Sequence, residues 1–540
     1  MRRKEPIMEN SVSRRKFVTT VATAAAATSL VNASLSLADE FAGYEISDTR
    51  DVDIVVVGAG ISGLAAAVEA ADKGASVVLL EKLGTVGGNG KITCGPSGFD
   101  TKYSRAAGIT YDWHEAVVED QRMFNYIPNI GYYIDMAQAS SDNIDWVADH
   151  GVVISDVVDN YKGGNNTMHY WGAGSGSKKE DGSRITNGTE YTIPMEETAL
   201  SLGVEIMYAT PAVDIVMDGK AVTGVIAQNA EGAYIQVNAK ATVLATGGIC
   251  GNDELMARAG RVDNIVSSYT FCKGCTGDGY NLSMKAGAFD MFGRIGFIEQ
   301  PAFAEMGTFE EYVRTNDLDP NLRPNKNDNH PVWNILKLGK CIWVNELGER
   351  FCDESAGKPD GGVAGWATSA IVSQRKAFAI CDAHITQDIL GQDCIDIMME
   401  NANYFGTKYQ ADTLEELAEQ LGIDSGKLHE TIDRYNEVVG NGVDTDFGKW
   451  EEGLVAIGDG PYFATQLSVS PLCSIGGVRV NRSMQACDVN WGAIPGLYVI
   501  GVDSFPFYTQ MYYYQLPGSA CAFELHSALV AARHAVDNLL

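Results

Sequence analysis

The stretch Asp53-Ile54-Val55-Val56-Val57-Gly58-Ala59-Gly60-Ile61-Ser62-Gly63-Leu64-Ala65-Ala66-Ala67 decides how the rest of the chain is read. A β-branched run ends in Gly-x-Gly-x-x-Gly and passes into an Ala-rich helical pattern. A second strand, Ser76-Val77-Val78-Leu79-Leu80, ends on Glu81. Gly58 makes the tight turn, Gly60 lets the backbone approach a pyrophosphate, and Gly63 lets helix and strand pack closely. The phosphates then lie at the helix N-terminus. Glu81, 18 residues after Gly63, stands where an acid accepts hydrogen bonds from a ribose. The pattern predicts a dinucleotide site.

Working outward, Gly84–Gly95 is a glycine-rich loop in which Gly88, Asn89 and Gly90 can pass beside a flat ring without side-chain collision. Residues 111–150 read as helical. Tyr161–Asp181, rich in Gly, Asn, Lys and Ser, reads as a long loop or lid, with His169 a surface or hydrogen-bonding residue rather than a catalytic one. From 203 to 246 the pattern is strand-rich and ends in Thr246-Gly247-Gly248, a second close backbone approach. A third comes near the C-terminus, at Ile494–Gly501. Cofactor contacts thus come from both ends, and the middle must be an insertion. Thr276-Gly277-Asp278-Gly279 opens a further helix with Asp278 placed for cofactor hydroxyls.

The chain has 540 residues, a formal charge of -30 and a pI of about 4.6, so phosphate would be repelled and no nucleic-acid partner is expected. An acidic surface suits solubility and also a basic or haem-bearing redox partner. Ser13-Arg14-Arg15-Lys16-Phe17-Val18 is a twin-arginine pattern, followed by an Ala/Thr-rich run ending in Ser36-Leu37-Ala38. Residues 1–38 are therefore expected to be a signal peptide read by the twin-arginine translocase, leaving an extracytoplasmic protein. Of eleven cysteines the only close pair is Cys272 and Cys275. One Cys-x-x-Cys supplies two ligands where an iron–sulfur cluster needs about four, so the spacing does not support a cluster and no metal site is assigned.

Together these residues resemble the fumarate reductase/succinate dehydrogenase flavoprotein superfamily, which includes the 3-ketosteroid dehydrogenases. The matching motifs are Gly58–Gly63, Glu81-Lys82, Gly87-Gly88-Asn89, Ala245–Gly248, Thr276–Gly279, Val344-Asn345 with Gly348–Phe351, Gly476-Gly477-Val478 and Ile494–Tyr498. The resemblance implies an α/β fold: a two-segment Rossmann-like FAD-binding domain (39–295 and 474–540) with an inserted α+β substrate-capping domain (296–473). Gly58, Gly60, Gly63, Glu81, Lys82, Gly88, Asn89, Gly90, Thr246, Gly247, Asp278, Gly501, Asp503 and Ser519 are then the expected FAD contacts. The family's ribityl-binding Glu is replaced by Val502, which leaves Asp503 to stand in.

Departures from the family bear on the substrate. The resemblance places its carboxylate-binding histidines at Gln300 and Cys473, its acid-catalyst Arg at Lys358, and the relay behind that Arg at Asn334 and Lys337. Its C-terminal carboxylate-binding Arg falls at Gln515. Losing bidentate Arg and His contacts argues against a fumarate or succinate pocket. Counting back from Ala531–Ala535 sets Tyr514 and Gly518 where ketosteroid dehydrogenases polarise a substrate carbonyl with a Tyr hydroxyl and a Gly amide. One such donor is worth roughly 2.7–4 kcal/mol in the transition state.

The leading expectation is an exported reductase of a C=C bond conjugated to a carbonyl in a largely neutral, hydrophobic, steroid- or lactone-like molecule, with hydride from flavin N5. Tyr514 and Gly518 would hold the carbonyl, and Lys358, with Lys337 behind it, would supply the proton. Electrons would come from a membrane cytochrome or quinol donor, as in the exported reductases of gut anaerobes that this organisation resembles. Three alternatives stay open: a 3-ketosteroid-type dehydrogenase running oxidatively, a reductase of an aryl-acrylate-like carboxylate, and a non-enzymatic flavin electron carrier.

Overall fold

The β-branched run becomes β1 (Ile46–Val57), which turns at Gly58 into α1 (Ile61–Asp72) and returns as β2 (Val77–Leu80). The two strands pair in parallel, Ile54 opposite Val77 through Val57 opposite Leu80, and every one of those residues is buried. A strand covered on both faces needs such a continuous apolar run. α1 is buried from Ile61 through Ala70, because its small Gly and Ala side chains let it lie close on the sheet. In the computed structural model the described residues are 43–123, 129–159, 167–172, 189–261, 274–303, 339–357, 364–385, 408–507, 512 and 518–540.

Residues 111–150 form two helices, Trp113–Met123 and α2 (Ile130–Asp149). The strand-rich stretch supplies β3 (Glu205–Met207), parallel to β2, and β4 (Tyr234–Leu244), which lies on the other side of β1. Between them a hairpin, Ala212–Asp218 with Ala221–Gln228, runs antiparallel into β4. The short α3 (Asp278–Lys285) follows.

A second sheet draws its strands from 296 to 475. Its spine is β5 (Gly296–Phe303) antiparallel to β6 (Tyr462–Ile475), with a bulge at Ile298/Glu299. Strands Ile342–Asn345, Ala377–Asp382 and Lys408–Ala411 complete it. Trp343, Phe378, Leu417, Tyr435 and Leu467 make a core of its own. Inside that core Arg350 pairs with both oxygens of Glu354 (2.8 and 2.7 Å) and with Asp444 (2.9 Å). Burying these charges is tolerable only because each is paired.

The chain then returns to the first sheet as β7 (Ala493–Val499), parallel to β4, with Leu497 opposite Thr242. It closes with α4 (Ser519–Leu539), packed on α1 and α2. The first sheet is therefore built from both ends of the sequence, as the α/β reading expected. From Asp48 to Leu540 the chain is one compact unit; the preceding unit is described only from Gly43. Among the described residues no helix is long and apolar enough to cross a membrane.

One expectation needs correcting. Within the supposed loop 161–181, Thr167–Trp171 is a strand between Ser97–Gly98 and Ile154–Asp159. His169 is fully buried there, its Nε2 2.6 Å from Thr101 Oγ1. Burial pushes its pKa down to about 4, so it is a neutral packing histidine.

Candidate cofactor and substrate site

Three backbone turns meet at the carboxyl ends of β1, β4 and β7, the edge where open parallel sheets bind ligands. At the first, a Cβ on Gly58 would lie 2.3 Å from Ala245 O, and one on Gly63 would lie 1.7 Å from Gly58 O. Those glycines are packing requirements. A Cβ on Gly60 would meet no protein atom nearer than Gly87 O at 3.9 Å. Gly60 also starts α1 without a side-chain cap, so the helix N-terminus opens onto a ligand-sized approach rather than onto protein. Gly88 and Gly90 lie in the turn Gly88–Ile92, which is fastened to the fingerprint by Gly87 N–H on Ala59 O (2.8 Å).

The acids at this edge are held differently. Glu81 is buried and accepts the Ala59 N–H (2.8 Å) and the Leu83 N–H (2.7 Å). Burial raises its pKa, and those two amides and Lys82 oppose the rise. Lys82 Nζ donates to Asp278 (2.7 Å) and Thr276 Oγ1 (2.6 Å), so Lys82, Thr276 and Asp278 form one half-buried cluster next to Glu81. Asp503 is also buried. It accepts from Thr246 N–H (2.6 Å), Thr246 Oγ1 (2.9 Å) and Gly248 N–H (2.8 Å). Both of its oxygens thus hold the Thr246-Gly247-Gly248 turn in place.

The capping strand β6 ends against these turns. Ser474 Oγ accepts from Ile249 N–H (2.9 Å), and Asn89 Nδ2 donates to Leu472 O (3.0 Å). Cys473, between them, is buried and sits opposite Ile298 on β5, two residues before Gln300. The fold thus brings the backbone positions of Gln300 and Cys473 to neighbouring strands. Arg261, beside them, places its guanidinium on the buried Glu299 (2.7 and 3.2 Å). Lys337, Asn334, Lys358, Tyr514 and Gln515 lie outside the described residues.

Gly518 precedes α4 in the left-handed region (φ 77°), and a Cβ there would lie 2.6 Å from Ser97 N. Its carbonyl accepts the Ser97 N–H (3.0 Å). Ser519 is buried and donates to the Tyr512 hydroxyl (3.0 Å), which also accepts from Ala520 N–H (3.4 Å). Tyr512 therefore caps α4. Gly501, at φ 61°, donates its N–H to Ser527 Oγ (3.0 Å) and approaches Ser62 so closely that a Cβ would meet its Oγ at 2.3 Å.

Comparison with known proteins places this geometry. The family of the FAD binding domain matches residues 53–293 and 320–519. The chain belongs to this family. It is an FAD-dependent oxidoreductase, and the open approach at Gly60 together with the caged Glu81 fits that cofactor. The chain is 29% identical to the vinyl phenol reductase of Lactiplantibacillus plantarum, over 90% of this chain and 96% of that one. It is 28% identical to the urocanate reductase of Eggerthella lenta, over 84% and 70% of the two chains. The fold also matches the crystal structure of 3-ketosteroid Δ1-dehydrogenase from Sterolibacterium denitrificans, with a TM-score of 0.68 and 17% identity over 90% of this chain and all of that one. Among the described residues no group of three or more His, Cys, Asp or Glu is placed to hold a metal; Cys275 is buried, and Cys272 lies outside them.

Reading the sequence missed Ser474, Tyr512 and Glu524. The first two act through a single hydroxyl with no motif around it. Glu524 did leave a signal: it is the one acid between Ser519 and Val536, in a run otherwise small or apolar over its first turns.

Proposed function

We propose that the protein is an exported FAD-dependent reductase of a C=C bond conjugated to a carbonyl in a largely neutral, hydrophobic substrate, steroid- or lactone-like in its ring. The observation that carries this reading is the β5–β6 pair. Where the resemblance would put carboxylate-binding His residues, β5 carries Gln300 in its register and β6 the buried Cys473, and the nearby Arg261 is occupied by Glu299. A substrate carboxylate brought here would lose water without gaining a charge-assisted partner from these groups.

Bound FAD supplies hydride chemistry at its ring. Tyr514 and the Gly518 amide would hold the carbonyl oxygen as negative charge builds on it. Lys358 would deliver the proton to the α-carbon, with Lys337 behind it to lower its pKa and replace its charge. The N-terminus of α4, fixed by Tyr512 and by Gly518 on Ser97, favours negative charge in front of it. The reductive direction is supported by the vinyl phenol reductase, a relative across nearly its whole length. The twin-arginine pattern supports export, and export in turn requires an electron donor outside the cytoplasm, of the membrane cytochrome or quinol class.

The test is anaerobic photoreduction of the purified protein, followed by a panel of enones, butenolides and aryl-acrylates. Recovery of oxidised-flavin absorbance with the neutral enones is expected. Dye reduction by a saturated ketone, with no reoxidation by any enone, would show instead that the enzyme runs as a dehydrogenase. A second reading, a carboxylate substrate, is favoured by the similarity to urocanate reductase. It requires Lys337 or Lys358 as the anion's anchor, so Lys358→Met would then raise KM for an acid far more than it lowers kcat.

A further inference from the structure

Glu524 sits on the second turn of α4, on the face that also carries Cys521 and Ser527. Ser527 on that face accepts the Gly501 N–H, and Glu524 Cγ lies 3.7 Å from where a Cβ on Gly501 would stand. Ser62, the second residue of α1, closes the same corner against Gly501. Tyr191, fully buried, borders it from a third side and donates its hydroxyl to Ile61 O (2.9 Å). The carboxyl is therefore lodged between the start of α1, where the pyrophosphate belongs, and the turn that ends β7. By exposed area the residue is half-buried.

Ser527 Oγ donates to the Glu524 backbone carbonyl (3.2 Å), but among the described residues no hydrogen bond or ion pair is made by the Glu524 carboxyl group. The titratable groups facing it are neutral ones: Tyr191, the buried Cys521 on its own helix, and Cys94 behind that thiol. The charged or ionisable groups on the packed elements are turned elsewhere. Asp503 faces Thr246 and Gly248, Glu69 faces Arg533 and Trp146, and His526 faces Asn143. A carboxylate at this corner would face the phosphates of FAD with no cation among the described residues between them.

We propose that Glu524 is a further cofactor-binding residue, which meets FAD as a neutral carboxylic acid and donates its O–H in a hydrogen bond to the pyrophosphate–ribityl chain. Burial alone lifts its pKa to about 8. Phosphates nearby would lift it further, so cofactor binding and protonation support each other.

The experiment follows FAD release from the holoprotein by the recovery of FAD fluorescence, between pH 6 and 10, in wild type and Glu524→Gln. Wild-type affinity should be level below about pH 8 and then fall by about tenfold per pH unit, because binding takes up one proton. Glu524→Gln, whose amide can still donate, should be level throughout and within a few fold of wild type at pH 7. Parallel profiles in the two proteins would overturn the proposal. Infrared spectra of the FAD-loaded proteins at pH 7 give a second readout that does not depend on refolding. A protonated-carboxyl carbonyl band present in wild type and missing from Glu524→Gln is expected, and its absence from wild type would refute the assignment.

Discussion

Burial raises the pKa of both Glu81 and Glu524, but only at Glu81 do donors oppose the rise. Glu81 ends β2 and accepts two backbone amides, with Lys82 next to it. The Glu524 carboxyl has no partner among the described residues, and its pKa is lifted to about 8. Preformed amide donors stabilise the charged form in a low dielectric, whereas desolvation without donors favours the neutral one. Glu81 is the acid expected to accept from a ribose. Glu524 is the acid proposed to donate toward phosphate.

The largest way to break this pair is through the backbone that cages Glu81. Gly63→Ala puts a Cβ 1.7 Å from Gly58 O, so we expect the β1–α1 turn to fail and the protein to emerge insoluble or free of FAD. Gly60→Ala meets no protein atom within 3.9 Å. It should fold with an unchanged circular dichroism spectrum, yet bind FAD on the order of tenfold or more weakly, because the methyl occupies the pyrophosphate's approach. FAD content and far-ultraviolet spectra of the two variants check the contrast.

Glu81→Gln keeps the shape but removes the charge. Hydrogen bonds to charged groups are worth roughly 1.5–3 kcal/mol, so FAD affinity should fall by roughly ten- to a hundredfold at neutral pH, as measured by fluorescence titration. Glu524 sets how the stability of the FAD-free protein depends on pH. In the FAD-free protein its folded pKa, about 8, lies above the unfolded value of 4.5, so the folded form holds the extra proton. Its favourable contribution is complete below pH 4.5 and is lost as pH rises toward 8, at a slope of up to about 1.4 kcal/mol per pH unit. Denaturant melts of the apoprotein should therefore show Glu524→Gln gaining on wild type through that window and keeping a constant lead above it. The smallest effect belongs to the cap of the helix that carries Glu524. Tyr512→Phe removes the acceptor for Ser519 and Ala520 and should cost about 1 kcal/mol in the same melts.

The pair also marks what a sequence can disclose. Glu81 was readable because the fingerprint is local: turn glycines, the crossover helix and the strand end lie within 30 residues. β4, β7 and α4 were readable for the same reason, as apolar runs bounded by glycine. Glu524 left only the signal of a single acid in a small and apolar run, since its position depends on how α4 is rotated against α1 and Gly501, a tertiary fact. The strand Thr167–Trp171 was hidden by the polar residues on either side, although Thr167, Met168 and His169 are all buried. Asp503 was singled out for its place after β7, but the sequence could not show that Thr246 and Gly248 turn their amides toward it.

The central claim is that this FAD enzyme reduces a conjugated C=C bond in a neutral molecule. The most direct measurement is stopped-flow reoxidation of the photoreduced flavin by a matched aryl-acrylate acid and its methyl ester under anaerobic conditions. The account predicts that the ester reoxidises the flavin at least as fast as the acid, at lower concentration. Reoxidation by the free acid alone would contradict it.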